Sequence, residues 1–259
     1  MQDKIVDEFK NPSVKYRTAP FWSWNGALDS KELCRQMEDF KAHGIGGAFA
    51  HARQGLITEY LSDEFFDRFK DTLEFAKNND MLLYMYDENE WPSGFANGKV
   101  AAIDNSVIGP IAVYDIVDAE NPRIPGELYY AAEIDVADGI ETGNAKLRKI
   151  LTDVAPEEWK NMGIKQVMIV YKHIPNVNSC GGYPYVDVTN PRTAELFLQT
   201  TYDEYYKRFG KDFGKYVPAS FSDEANMVSR GRNSVPFSNS VEKKFRELNG
   251  YDIRMFPLT

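Results

Sequence analysis

MLLYMYDENEWPSG, residues 81–94, sets an apolar and aromatic run against three carboxylates and then turns through Pro-Ser-Gly. A short apolar run bounded by turn residues reads as a buried strand. Carboxylates massed at its end are costly to place there unless they bind, react or hold the turn together. Upstream, TAPFWSWNG (18–26) reads as a strand entering an Asn-Gly turn, and IGGAFAHARQG (45–55) as a second strand that also ends in polar groups. Between them Asp29 or Ser30 caps a helix with Leu33, Met37 and Phe40 on one face, ending at Gly44. Ser62 caps another, with Asp63 and Glu64 suiting its positive end and Phe65, Phe69, Leu73 and Ala76 as its stripe. The order βαβαβ predicts a parallel sheet with crossover helices.

Residues 105–175 break that rhythm. Four strand-like runs, in 107–117, 126–137, 145–154 and 165–174, surround a short helix in APEEWKNMG (155–163). Past a turn-rich stretch at 175–190, Pro191 opens a helix through residue 210, YVPASFSDE (216–224) reads as a fourth strand, and SNSVEKKFRELNG (238–250) as a helix with a capping Ser and a terminal Gly. The expected architecture is α/β: a (β/α)8 TIM-barrel-like fold, incomplete at about four βα units, with a β-rich insertion after the third strand. Its parts are 1–104 as the first portion of the barrel, 105–175 as the inserted subdomain, and 176–259 as a truncated continuation. Four units do not close a barrel, so a longer parent protein with further C-terminal domains is expected. Open sheet edges in such a fragment also invite a homo-oligomer.

Composition narrows the partners. The 259 residues carry a net charge of −9 and no run of Lys and Arg, which argues against nucleic acid. No stretch approaches the roughly 18–20 apolar residues that span a bilayer. The charged start MQDKIVDEFKNPS lacks a signal-peptide core, so the chain reads as cytoplasmic, or as an exported protein whose signal peptide is absent. Cys34 and Cys180 are too few and too far apart for a disulfide scaffold or zinc site. Aromatics reach 14% of residues, and Trp22, Trp24 and Trp91 lie in short motifs. They serve either as core or as a platform for the C–H face of a sugar.

All four expected parallel strands end in groups able to bind or react: Trp22, Trp24 and Asn25; His51 and Arg53; Asp87 and Glu88; Asp223 and Glu224. A (β/α) barrel collects its active site at that end. Alternation sends Tyr84, Tyr86 and Glu88 inward from the third strand, and Ser220, Ser222 and Glu224 from the fourth, with Val217, Ala219 and Phe221 toward the helices. Glu88 and Glu224 are then expected to converge. Asp87 and Asp223 point sideways, where the ordinary role is to hydrogen-bond strand ends or turn amides. Two inward carboxyls suit glycoside hydrolysis; a hard cation such as calcium or simple pairing with Arg53 are the alternatives. His51 is open between donating to substrate hydroxyls and packing, His43 suits the negative end of a helix, and His173 has no evident partner. Gly-rich phosphate loops, Gly-x-Ser-x-Gly elbows and His-Glu-x-x-His helices are absent.

The blocks FKNPSVKYRTAPFWSWNG (9–26), HARQGLITEYLSDEFF (51–66), YDENEWPSGFANG (86–98) and FSDEANM (221–227) resemble, in order and spacing, the N-terminal catalytic part of the α-L-rhamnosidase-like glycoside hydrolases of family 106. The likeness implies a distorted (β/α)8 barrel, an inverting two-carboxylate mechanism and, in some members, calcium near the sugar. It implies Glu224 as general acid and Glu88 as a sugar-binding, metal-binding or second catalytic carboxylate, with Trp22, Trp24, Trp91, His51 and Arg53 lining the subsite. Asn25, Tyr86, Asp87 and Asp223 complete the expected substrate-binding set. Ala225 stands where the family tends to have Pro. Two other classes compete: a non-catalytic sugar-binding module, and an isomerase or lyase with a metal on Glu88, Glu224 and His51.

Overall fold

A computed structural model describes residues 2–135, 146–175, 180–226, 233–251 and 253. The ends of two insert strands read at 136–137 and 145, part of the turn-rich stretch (176–179), Met227 of the FSDEANM block and most of the final YDIRMFPLT lie outside them. The described elements are α1 (Gln2–Lys10), β1 (Phe21–Gly26), α2 (Ser30–Ala42), β2 (Gly47–Leu56), α3 (Asp63–Asn78), β3 (Leu82–Tyr86), α4 (Lys99–Ile103), β4 (Ile111–Asp118), β5 (Glu127–Asp135), β6 (Lys146–Ile150), β7 (Gln166–His173), α5 (Pro191–Thr200), α6 (Tyr202–Phe209), β8 (Ser220–Phe221), β9 (Ser234–Pro236) and α7 (Asn239–Asn249). The fold is mixed α/β, with a four-stranded parallel sheet in the order β1-β2-β3-β8 and a five-stranded antiparallel sheet in the order β6-β5-β7-β4-β9. Among the described residues no closed barrel forms.

Two compact units contain these sheets: Met1–Ser106, Val177–Val186 and Arg192–Asn226, and Val107–Asn176, Asp187–Pro191 and Met227–Thr259. In the first unit Asp29 caps α2 by accepting from the Glu32 amide, and Ser62 caps α3 by accepting from Phe65. The apolar stripes of α2 and α3, with Tyr205 and Phe209 of α6, cover one face of the parallel sheet. Trp22, Trp24, Ala48, Ala50, Ala52, Leu83 and Met85 supply the sheet side of that core. Gly47 is required where β2 meets β3, because a Cβ there would lie 2.3 Å from the Leu82 carbonyl oxygen. The helix read through residue 210 is broken at Thr201, between α5 and α6.

The other face of the parallel sheet is aromatic. Phe21, Phe49, His51, Tyr84, Tyr86 and Phe221 meet there, with Phe49 stacked on Tyr84 at 4.5 Å and His51 on Tyr86 at 3.7 Å. Phe21 stands on β1 and Phe221 on β8, the two outer strands, yet their ring centroids are 4.7 Å apart. Three strand spacings of roughly 4.8 Å each separate those strands, so this face is concave.

Two expectations about strands are corrected here. The fourth strand is only Ser220–Phe221, and its phase is opposite to the alternation expected: Ser220 pairs with Met85 and lies 3.2 Å from the Tyr202 hydroxyl of α6, while Phe221 pairs with Tyr86 and joins the concave cluster. A phenylalanine reads as helix-side core, but here the concave side is itself aromatic. The second correction concerns 176–259, which is not a simple continuation of the parallel sheet. β9 pairs antiparallel with β4, and β9 and α7 fall in the second unit.

In that second unit Trp159, in a 3-10 turn at Pro156–Met162, packs into a cluster with Val117, Ala131, Val167 and Ile169, and the opposite face gathers Ala112, Tyr130, Met168 and Val170. Ser238 caps α7 and Gly250 ends it with φ 75°. No helix of the described residues is long and apolar enough to cross a membrane.

Candidate active site

The C-terminal ends of β1, β2, β3 and β8 bring most of the expected residues to one edge of the parallel sheet. Tyr86 ends β3 on the concave face. Its hydroxyl lies 2.6 Å from the Glu90 carbonyl and 3.1 Å from Asp223 Oδ2, both acceptors, so its single proton ties the two loops that follow β3 and β8. Burial and then the Asp223 charge raise that phenol well above its usual range, so it acts as a donor. His51 lies flat on the Tyr86 ring and is 2% exposed, and among the described residues no other residue hydrogen-bonds either ring nitrogen. Burial and then the positive Arg53 push its imidazole down, to about 4, leaving it neutral at ordinary pH. Arg53 and Asn25 are exposed at the same edge.

Glu88 does not lean into open space. It is fully buried, and five backbone N–H groups of the loop after it donate to its carboxylate: Asn89 and Asn97 to Oε1 at 2.9 and 2.8 Å, and Gly94, Phe95 and Ala96 to Oε2 at 3.1, 3.0 and 2.7 Å. The carboxylate is the internal scaffold around which residues 89–97 wrap. Burial pushes this carboxyl upward, and the amide bonds oppose that shift. A proton on either oxygen would put a donor among five donors, so the ring of amides selects the anion.

Asp87 is also fully buried, on the helix side. Ser93 Oγ donates to its Oδ1 at 2.6 Å and the Tyr202 hydroxyl to its Oδ2 at 2.8 Å. Burial raises its carboxyl, and these hydroxyl bonds and one from Ser222 hold it back. Trp22 and Trp24, expected to wall the site, lie on the sheet face opposite Tyr86, 5% and 1% exposed. Trp22 donates to Gln36 Oε1 at 2.6 Å, and Trp24 packs edge-on to Phe65 and Phe69. Strand alternation is the reason, because Phe21 and Ser23 occupy the concave phase of β1.

Glu88 and Glu224 were expected to converge; instead Glu88 is enclosed, and Glu224 meets Trp91, another of the expected site residues, at the surface. The Trp91 indole donates to Glu224 Oε2 at 3.1 Å, the Glu224 side chain is exposed, and its backbone has φ +46°. A left-handed conformation in a residue other than Gly costs of order 1 kcal/mol or more and persists only where its surroundings impose it. Of the expected carboxylates, Glu224 is exposed and Asp223 half-buried, whereas Asp87 and Glu88 are enclosed. Among the described residues no three His, Cys, Asp or Glu side chains gather as a metal site. With Glu88 occupied by amides and Asp87 by hydroxyls, neither of these enclosed carboxylates has oxygens free for calcium.

Sequence reasoning passed over several residues that build the site. Tyr185 and Tyr202 join it through contacts 92 and 115 positions distant in the chain, and Ser93 through a contact 130 positions distant to Asp223 besides its local bond to Asp87. Phe21, Phe49 and Tyr84 were legible as the alternate phase of their strands. No family model matches the chain, and none of the curated proteins matches it.

Proposed function

We propose that this chain carries the acid side of a glycosidase site, α-L-rhamnosidase-like, on a barrel-type parallel sheet, and that Glu224 protonates the leaving oxygen of a glycosidic bond in plant or bacterial glycans. The observation that carries the reading is the exposed Glu224 carboxylate, held by the Trp91 indole at the C-terminal edge of a parallel sheet, where α/β enzymes place their chemistry. The concave aromatic face is consistent with an arc of a (β/α)8 barrel. Trp91, half-buried, offers a ring to a pyranose, and Asn25, Arg53 and Asp223 offer polar contacts to its hydroxyls. Inversion also needs a base that activates water on the opposite side of the sugar. Glu88 is withdrawn from that part, since its oxygens are consumed by its own loop.

The test is hydrolysis of aryl glycosides, α-L-rhamnosides first, by the chain and by Glu224→Gln. A general acid contributes about 10²- to 10⁴-fold, so turnover falls by that factor. A fall of less than tenfold removes the acid role. The enclosure of Glu88 favours one second reading, a sugar-binding module without hydrolysis. Calorimetric binding of rhamnosides with no turnover would establish it in place of the first.

A further inference from the structure

The segment that carries Glu224 is held from below by one buried serine. Ser93 is fully enclosed, and all of its polar atoms are spent on this segment or on groups that hold it. Its N–H donates to the Asp223 carbonyl at 2.8 Å, and its Oγ accepts the Asp223 N–H at 2.7 Å. The hydroxyl proton goes to Asp87 Oδ1 at 2.6 Å, which fixes the rotamer in which Oγ faces Asp223. Its carbonyl accepts from the Tyr185 hydroxyl at 2.6 Å, and Tyr185 in turn accepts from the Asn226 backbone N–H. Asp223 and Asn226 are thus both tied to residue 93, and between them Glu224 holds its left-handed backbone with its carboxylate on Trp91. Trp91 itself lies two residues before Ser93, so one short stretch supplies both the floor and the wall for the same carboxylate.

We propose that Ser93, oriented by Asp87, is a positioning residue that sets Glu224 in its strained conformation against Trp91. The claim for catalysis rests on the glycosidase reading above; the claim for geometry does not. A strained backbone needs more restraints than it has freedoms. Removing the Ser93 hydroxyl deletes the Asp223 amide's acceptor and one of the hydroxyl donors to Asp87, the one on Oδ1, which lets the segment relax.

The test pairs amide hydrogen exchange with kinetics in Ser93→Ala, using Ser62→Ala, which removes only the α3 cap in the same unit, as the match for lost stability. In Ser93→Ala the Asp223 amide exchanges at least about tenfold faster, and the Trp91 indole N–H loses protection, while Ser62→Ala leaves both within about twofold of the parent. On a hydrolysed aryl glycoside, Ser93→Ala lowers kcat by about 10- to 100-fold with KM held within about twofold, as expected when a reacting group is displaced by a fraction of an ångström. Unchanged exchange at Asp223 and Trp91 overturns the positioning role outright. Faster exchange with unchanged kcat overturns its catalytic importance. A parent chain that hydrolyses nothing overturns the glycosidase reading, and exchange alone then decides whether Ser93 sets Glu224.

Discussion

Replacing Glu88 by Gln tests whether the carboxylate is the scaffold of the loop after β3. The substitution keeps length and shape and exchanges one oxygen for an NH2 group. In its better orientation the remaining carbonyl oxygen sits at the Oε2 position and keeps the amides of Gly94, Phe95 and Ala96. The new NH2 then faces the N–H groups of Asn89 and Asn97, which had donated at 2.9 and 2.8 Å. Two buried donors lose their acceptor, at about 1–3 kcal/mol each, so the loss is about 2–6 kcal/mol. The flipped orientation strands three donors and is worse. Urea unfolding at neutral pH, followed by fluorescence of Trp91 and the core Trp24, should show a lower midpoint with an unchanged slope. The same fully buried carboxyl is pushed upward by desolvation. If it were held neutral, Gln would be a close mimic. A loss under about 0.5 kcal/mol, or a gain, would therefore refute the anionic amide ring.

Two further outcomes follow from packing and burial. His51 has its folded pKa lowered to about 4 against an ordinary value near 6.5. The unfolded chain takes up a proton there first as pH falls, so its contribution is complete above about 6.5 and is lost between about 6.5 and 4. At roughly 1.4 kcal/mol per pH unit this amounts to about 3 kcal/mol. His51→Phe keeps the stack on Tyr86 and should flatten the stability profile in that window; an unchanged acid slope would show that His51 is not buried neutral. Gly47→Ala puts a methyl 2.3 Å from the Leu82 carbonyl oxygen, a backbone atom that cannot swing aside, and should cost more than about 1 kcal/mol in thermal or denaturant melts. A neutral result would mean that β2 and β3 pair less closely than this.

Much of the fold was legible from residues 18–94 because the signals there are local. Asp29 and Ser62 each accept from the amide three residues on, and the stripe Phe65, Phe69, Leu73 and Ala76 follows one face of a helix over about three turns. Crossover helices between such strands impose a parallel sheet, which β1, β2 and β3 form. Ser238 and Gly250 likewise marked the ends of α7. The β-rich insert was visible in its apolar runs, but its fifth strand, β9, was not. Ser234–Pro236 has only three residues, and what makes them a strand is pairing with β4, more than a hundred positions away.

The chain's own order of residues settled which groups arrive at the C-terminal edge of the parallel sheet: His51, Arg53, Tyr86, Asp87, Glu88, Asp223 and Glu224. Only tertiary structure decided which of them are enclosed. Glu88 and Asp87 are neighbours of the same chemical type as Glu224, and nothing in their spacing separates them. What separates them is where donors converge. Five amides of residues 89–97 and the hydroxyls of Ser93 and Tyr202 reach the first two, while among the described residues the exposed Glu224 carboxylate takes its hydrogen bond from the Trp91 indole. The trapping of Trp22 and Trp24 beneath the helices, and of Phe221 on the concave face, has the same origin. A side chain's phase along a strand is local, but which face the rest of the chain covers is not.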